Sequence, residues 1–412
     1  MARNGPIAAL DIGTTKTCCF IAEANAVGAI RVSGIGHYAS RGIKSGAIVD
    51  MEAAEQSVLS AVHAAEQMAG TTIRDVAVNV ASGKPASQTL ELDTDLGGAA
   101  IGEREVRRLL DDDRIAGTPP DRHLIHAVPL GFAIDGSNGI RDPQGLHGQT
   151  LGVRVHTVTA AAGAVRNLAT CVERCHLDIG DFVINAYAAG LSCLVEDELD
   201  LGVTVIDMGG GVTSIAVFYE GALVWSDSVP IGGRHITGDI ARGLSTPVAH
   251  AERLKTLHGS CLPSPTDEQE MISAPRVGET DESQVNSLPK SFLVSIIGPR
   301  VEETFELVRE RLDSTRLAGL GGRRVVLTGG ASQLPGVREL AGQILDKQAR
   351  MGRPTQLSGL AEATCGPAFA TCAGLLAFAV DDRGEARPRP VRDSEPTDGM
   401  INRLGGWFRE NF

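Results

Sequence analysis

The chain has 412 residues, 42% hydrophobic, 22% charged and only 4% aromatic, which is enough for two or more domains with separate cores. A formal net charge of −13 excludes a general nucleic-acid binder, which needs a basic face to displace counterions from phosphates, and it confines any contact with anionic lipid to a local segment. No apolar run reaches the ~18–20 residues that cross a bilayer. The eight cysteines form no C-x-x-C pair and no zinc-finger spacing; without a signal peptide they read as small buried residues of a reducing cytosol.

The first 80 residues alternate strand-like runs with turns (IAALDIG, TCCFIAEA, AIRVSGIGHYA). A helical pattern follows from Asp50 to Met68, then the buried-strand run RDVAVNVAS. From about Gly83 to Thr159 the composition changes. A polar strand (Ser87 to Leu92), one charged helix (Glu103 to Asp113) and Gly/Pro/Asp-rich loops read as an inserted subdomain. The α/β alternation resumes with a helix at Ala164–Cys175, a strand at Asp181–Asn185, the strand LGVTVIDMGGG and the hairpin SIAVFYEGALVWSDSVPIGG. His235–Val301 is helical and loop-rich, with a polar stretch at Ser264–Lys290, and RRVVLTGG and further helices close near Val380. Strands alternating with helices predict mainly parallel sheets covered by helices. Residues 381–398 hold three prolines, ten charges and one valine, too little apolar surface to offset the entropy of ordering, and read as a disordered linker.

Three glycine-rich turns follow strands. Asp11-Ile12-Gly13-Thr14-Thr15-Lys16 and Asp207-Met208-Gly209-Gly210-Gly211-Val212-Thr213 each place an acid at a strand end before a turn whose amides can face an anion. An aspartate there can hold the hydrated Mg²⁺ that accompanies nucleotide phosphates. The third turn, Leu327-Thr328-Gly329-Gly330-Ala331-Ser332, would admit a flat adenosine against the backbone. Neither acidic turn is a P-loop or a dinucleotide G-x-G-x-x-G, so the phosphates would be gripped from two sides, by two hairpins about 196 residues apart.

This arrangement resembles the actin, heat-shock chaperone and sugar-kinase superfamily. Within it, ALDIGTTKTCCFIAE, LVEDELDLGVTVIDMGGGVTSIAV, HAERLKTLHG, IIGPRVEETFELV and RRVVLTGGASQLPGVREL resemble the FtsA family of bacterial cell-division proteins. The resemblance implies an α/β, two-lobed actin-like ATPase fold with a subdomain inserted in each half. Residues 1–82, 161–199 and 365–380 would form the first lobe, with 83–160 its insert. Residues 200–235 and 304–364 would form the second lobe, with 236–303 its insert. It also implies ATP and Mg²⁺ as ligands. Asp11 and Asp207 would position the metal through water. Gly13, Thr14, Thr15, Lys16, Gly209, Gly210, Gly211 and Thr213 would surround the phosphates, and Gly329 and Gly330, with Glu252 and Lys255, the adenosine. Without the resemblance, Glu252 and Lys255 read as an exposed helical pair three residues apart. Asn185 matches the position whose side chain places the attacking water in relatives, but it is a shorter amide than the glutamine of actin. Hydrolysis is therefore expected to be weak.

Met400 to Phe412, projected at roughly 100° per residue, puts Met400, Ile401, Leu404, Trp407, Phe408 and Phe412 within an arc of roughly 140°. This is the pattern of an interfacial helix, with Arg403 and Arg409 available for anionic lipid. Gly405 and Gly406 lower its intrinsic helicity by about 1 kcal/mol each. The resemblance implies a peripheral location on the cytoplasmic face of the inner membrane at the septum, self-association into filaments, anchoring of the FtsZ ring and recruitment of later division proteins. The FtsZ tail would dock on the second insert, at Arg300 and, more loosely, Lys290, beside an apolar groove formed by Phe292, Val294, Ile296 and Ile297. The alternatives are an MreB-like or pilus-assembly relative and a sugar kinase. For a kinase, no acidic base facing a sugar pocket stands out. For a chaperone, too little chain follows the core.

Overall fold

The computed structural model describes residues 5–25, 29–278, 286–355 and 357–380. The linker at 381–398 and the amphipathic segment at 399–412 lie outside the described residues.

Two sheets repeat one topology. In the first, the central strand Ile7–Ile12 pairs antiparallel with Lys16–Ala24, which pairs with Ile30–Ala39; on its other side lie the parallel strands Asp75–Val80 and Asp178–Ile184. In the second, Val203–Met208 pairs antiparallel with Thr213–Tyr219, which pairs with Ala222–Val229; the parallel strands Arg324–Thr328 and Gln348–Met351 complete it. The spatial order is the same in each, with the acidic glycine turn joining the first two strands. The central strands Ile7–Ile12 and Val203–Met208 are buried along their whole length, so they read as continuous apolar runs rather than alternating ones.

Two helices separate the sheets. Asn185–Cys193 begins where the strand Asp178–Ile184 ends, and Ala370–Val380 lies against it. Their backbones meet at Gly374, where a Cβ would stand 1.6 Å from the carbonyl oxygen of Ala188. Tyr187 packs against Phe218 of the second sheet and Phe378 of the partner helix, so the first lobe's core runs on into the second sheet. A separate core on the far face of that sheet joins it to Gly233–Gly243 and the long helix Lys290–Asp313.

The segment after Gly83 forms a four-stranded sheet from Ala86–Asp95, Arg122–Ile134, Ser137–Ile140 and Thr150–Ala161, with its own core at Leu92, Leu109, Leu151 and Val153. It is tied to the second lobe at Ser87, whose hydroxyl donates to Ser226 O at 2.8 Å and accepts from Ser226 N at 2.8 Å. The charged helix expected from Glu103 to Asp113 divides here. It ends at Leu110, and Asp112 caps a second helix, Asp113–Ala116, by accepting from Arg114 N.

Three further differences from expectation concern single segments. The polar stretch at Ser264–Lys290 contains a two-stranded ribbon, Met271–Ala274 with Asn286–Pro289, whose apolar alternation is too short to read. Leu357–Ser358 pairs in parallel with Ile30–Arg31, so the chain has re-entered the first lobe before residue 365. Asn185, expected to end the strand Asp181–Asn185, is the first residue of a helix. All eight cysteines are free thiols, and all but Cys365 are buried. No helix among the described residues is long and apolar enough to cross a membrane.

Candidate functional site

The two acidic turns have the same geometry. Gly13 N donates to Lys16 O at 3.0 Å and Gly209 N donates to Val212 O at 2.9 Å. At both glycines a Cβ would come within 2.7–2.9 Å of the carbonyl oxygen that closes the turn, so a side chain is excluded by space. The turns face one another closely. A Cβ on Gly210 would stand 2.6 Å from Thr15 Cγ2, and one on Gly211 2.5 Å from Thr14 Oγ1. Thr14 Oγ1 also accepts from Gly46 N at 2.9 Å, which holds the first turn against the loop after Ile43–Lys44.

Asp11 and Asp207 end the two central strands and are buried. Burial pushes Asp11 up to about 7. The Lys16 ammonium pulls it down and the neighbouring Asp207 pushes it up further. Burial likewise raises Asp207, to about 6, less than Asp11 because the Thr371 hydroxyl and the Asn185 amide donate to its carboxylate and Lys16 lies nearby. The Thr371 bond to Asp207 Oδ2 is 3.1 Å. Two buried carboxylates with one lysine near both form an under-compensated acidic site. Among the described residues no cluster of three His, Cys, Asp or Glu could enclose a bare metal. The pair therefore suits a cation that keeps its own water, as Mg²⁺ does.

Lys16 donates from Nζ to Ala368 O at 2.6 Å and lies 3.2 Å from the centroid of Phe369, whose ring stacks on Phe20. The segment Pro367–Phe369 is thus part of the site, although nothing in its sequence singles it out. Gly329 accepts no side chain: its φ is +85°, and a Cβ would be 2.3 Å from Asp207 Oδ1. Beside it Gly330 is open, with Ala368 Cβ at 3.8 Å its nearest neighbour.

The expected Glu252–Lys255 pair lies on the helix Val248–His258. Lys255 Nζ donates to Glu252 Oε2 at 2.7 Å, Thr237 Oγ1 at 2.8 Å and Gly233 O at 3.2 Å. Gly233 N in turn donates to Gly209 O at 3.0 Å, and a Cβ on Gly233 would stand 3.3 Å from Ala331 Cβ. The helix pair, the second acidic turn and the TGG turn are therefore contiguous. Gly232, Gly233 and Thr237 join them, and the doublet in PIGG was a usable signal that the hairpin reading absorbed. Thr213 differs from expectation. It is fully buried and donates its hydroxyl to Ile231 O at 2.8 Å, so it supports the turn from behind.

The second insert's cations are already paired. Arg300 Nε donates to Asp239 Oδ2 at 2.5 Å and its Nη1 to Glu303, while Lys290 Nζ is 2.9 Å from Glu270 and 3.5 Å from Asp267. Of the expected groove residues, Val294 and Ile297 are buried in the core because they sit on the inward face of the helix Lys290–Asp313. Phe292 is 50% exposed, and with Leu288 it lines a shallow surface pocket. Met400, Ile401, Leu404, Trp407, Phe408 and Phe412 lie outside the described residues.

Two family models match the chain: "Cell division protein FtsA" over residues 204–374 and "SHS2 domain inserted in FTSA" over 83–159. The cell division protein FtsA of Rhizobium meliloti is 43% identical over 422 aligned residues, covering 100% of this chain and 96% of that one. Among solved structures, the PilM–PilN type IV pilus biogenesis complex superposes with a TM-score of 0.64 at 17% identity, over 91% of this chain and 98% of that one. MreB5 of Spiroplasma citri bound to ADP gives a TM-score of 0.54 at 15% identity, over 91% and 96%. The fold is the two-lobed actin-like α/β fold, with an inserted SHS2 domain.

Proposed function

Because the chain belongs to the FtsA family of cell-division proteins, we propose that it binds Mg²⁺-ATP between the two acidic hairpins and serves as a filament-forming adaptor that holds the FtsZ ring to the membrane. The observation that carries the nucleotide reading is the pair of buried carboxylates, Asp11 and Asp207, at equivalent ends of twin glycine hairpins that touch across the cleft. Bound Mg²⁺ would supply the positive charge this pair lacks and neutralise the phosphates. The chain's own residues do the rest. Gly13 N and Gly209 N close their own turns, which leaves the backbone amides of Thr14–Thr15 and Gly210–Gly211 for the phosphates, and Lys16 is close enough to both acids to move from Ala368 O to a phosphate oxygen. Gly233, Ala331, Glu252 and Lys255 border the space for adenosine. Asn185 lacks the reach of a longer side chain, so turnover stays well below the ~10 s⁻¹ of ordinary enzymes. The nucleotide acts mainly as an assembly ligand.

The test is calorimetric titration of ATP with and without Mg²⁺. The expected result is magnesium-dependent binding that Asp207→Asn weakens by about tenfold or more, as for loss of a charged hydrogen-bonded group. Equal binding with and without the metal would count against it.

The adaptor reading rests on family membership and on the amphipathic pattern of Met400–Phe412. One such segment gives modest affinity for anionic lipid, and several copies on a filament give stable attachment. An acidic-apolar FtsZ tail would bury apolar residues at Phe292 and Leu288 and exchange its carboxylates for those of Glu303 and Asp239 around Arg300. Lys290, held by two acids, is the weaker candidate. Flotation with anionic liposomes should be lost in a chain ending at Val380; retention would sink the tether.

A further inference from the structure

Asn79 is a polar residue one position from the end of the buried strand Asp75–Val80, 1% exposed, and no sequence motif marks it. Its side-chain oxygen accepts from Ile12 N at 2.7 Å. A backbone N–H can only donate, so this bond fixes the orientation of the Asn79 amide: oxygen toward Ile12, nitrogen away. That nitrogen donates to Asn185 Oδ1 at 3.2 Å. Asn185 is thereby oriented in turn, with its oxygen toward Asn79, and its own N–H donates to the Asp207 carboxylate. The chain of bonds runs one way, from the backbone of the first acidic hairpin to the acid of the second.

We propose that Asn79 is a positioning residue for the nucleotide site, setting the direction of the relay Ile12 N–H → Asn79 → Asn185 → Asp207 and so keeping the donor end of the Asn185 amide on Asp207. The proposal rests on the Mg²⁺-ATP reading of the cleft and names the residue that organises it. Without Asn79 the Asn185 amide is free to turn over and present its oxygen to Asp207, acceptor against acceptor. The relay also joins the lobes, because Ile12, Asn79 and Asn185 belong to the first sheet and its helix, while Asp207 belongs to the second. A shift of the first hairpin on a phosphate is thus felt at the acid of the other lobe.

Asn79→Asp tests the direction. Its carboxylate still accepts from Ile12 N but has no donor for Asn185, so it draws the Asn185 N–H to itself and leaves an oxygen facing Asp207. Equilibrium titration of the full chain with Mg²⁺-ATP should show about tenfold weaker binding for Asn79→Asp and a smaller loss, about threefold, for Asn79→Ala, which removes the restraint without reversing it. In an Asn185→Ala background neither change should cost more than about twofold, because the link to Asp207 is already gone. Nucleotide-free melting curves separate this from plain destabilisation, and if Asn79→Asp does not fold, the Asn79→Ala cycle decides alone. Wild-type affinity in the Asn79 variants, or equal losses in both backgrounds, would overturn the relay. No Mg²⁺-ATP binding by the unmutated chain would instead overturn the nucleotide reading.

Discussion

Asp11 and Asp207 have folded-state pKa values raised above the ordinary carboxylate value of 3.8, to about 7 and about 6, and burial is the main cause of both. A carboxylate raised in this way favours folding when protonated. Its contribution is fully present below pH 3.8 and is lost as pH rises through 6 to 7. Nucleotide-free protein should therefore lose stability between pH 5 and pH 8, and Asp11→Asn, which removes the more strongly raised group, should flatten that dependence and raise the melting temperature at pH 8. Added Mg²⁺-ATP should stabilise the natural chain far more than the variant, since only the former keeps both carboxylates. Melting curves at several pH values check this; an Asp11→Asn profile parallel to that of the natural chain would mean the acid is not strained in the free protein. The instability is thus localised at the proposed nucleotide site.

At the scale of elements, the helices Asn185–Cys193 and Ala370–Val380 carry the two side chains that donate to Asp207, Asn185 and Thr371. Their close approach depends on Gly374. Gly374→Ala puts a methyl group into the Ala188 carbonyl and must separate the helices, costing about 1–3 kcal/mol as overpacking does. It should also weaken Mg²⁺-ATP binding by moving both donors. Gly163→Ala, on the exposed face of the helix Ala162–Arg174 with nothing near its Cβ, should be neutral or slightly stabilising. Urea denaturation of the two variants settles it, and comparable effects would mean the contact at Gly374 yields easily. Legibility also divides at this scale. The hairpins could be read because an acid, a glycine turn and a buried strand are adjacent in sequence. The Glu252–Lys255 pair was legible only through the family resemblance, since alone it reads as an exposed helical pair, and only the fold shows Gly233 and Ala331 beside it. Asn79, Thr371 and Phe369 were not legible, because their partners are 106, 164 and 353 or so residues distant and no local pattern encodes such pairings. The ion pairs of Arg300 and Lys290 were not legible for the same reason: Asp239 and Glu270 reach them only through the tertiary fold.

For the whole molecule, the arrangement of the lobes depends on how the chain crosses between them. One crossing runs through the helix Glu196–Leu201, where Glu198 is 3% exposed and accepts from Arg350 Nε at 2.7 Å and Nη2 at 2.5 Å. Arg350 lies on the last strand of the second sheet and also donates to Cys193 O at 2.9 Å, at the end of the first lobe's helix. One guanidinium thus ties the second sheet to both the helix end and the crossing segment, with the planar fork matched to a carboxylate. The Arg350 pairing and the bond from Val195 N hold Glu198 below its ordinary pKa against the opposing effect of burial. Removing one partner of a buried pair costs about 3–5 kcal/mol, but the Arg350 side chain is 38% exposed and can recover hydration, so about 2 kcal/mol is expected for Glu198→Gln. Glu198→Leu combined with Arg350→Met should be less harmful than the sum of the single changes, because no charge is left unpaired. Amide exchange should rise in Val195–Gly202 and Gln348–Gly352 of the glutamine variant while the sheet centres stay protected. If exchange rose evenly across both lobes, or the double change were fully additive, Glu198 and Arg350 would be ordinary contributors to stability with no special hold on the angle between the lobes.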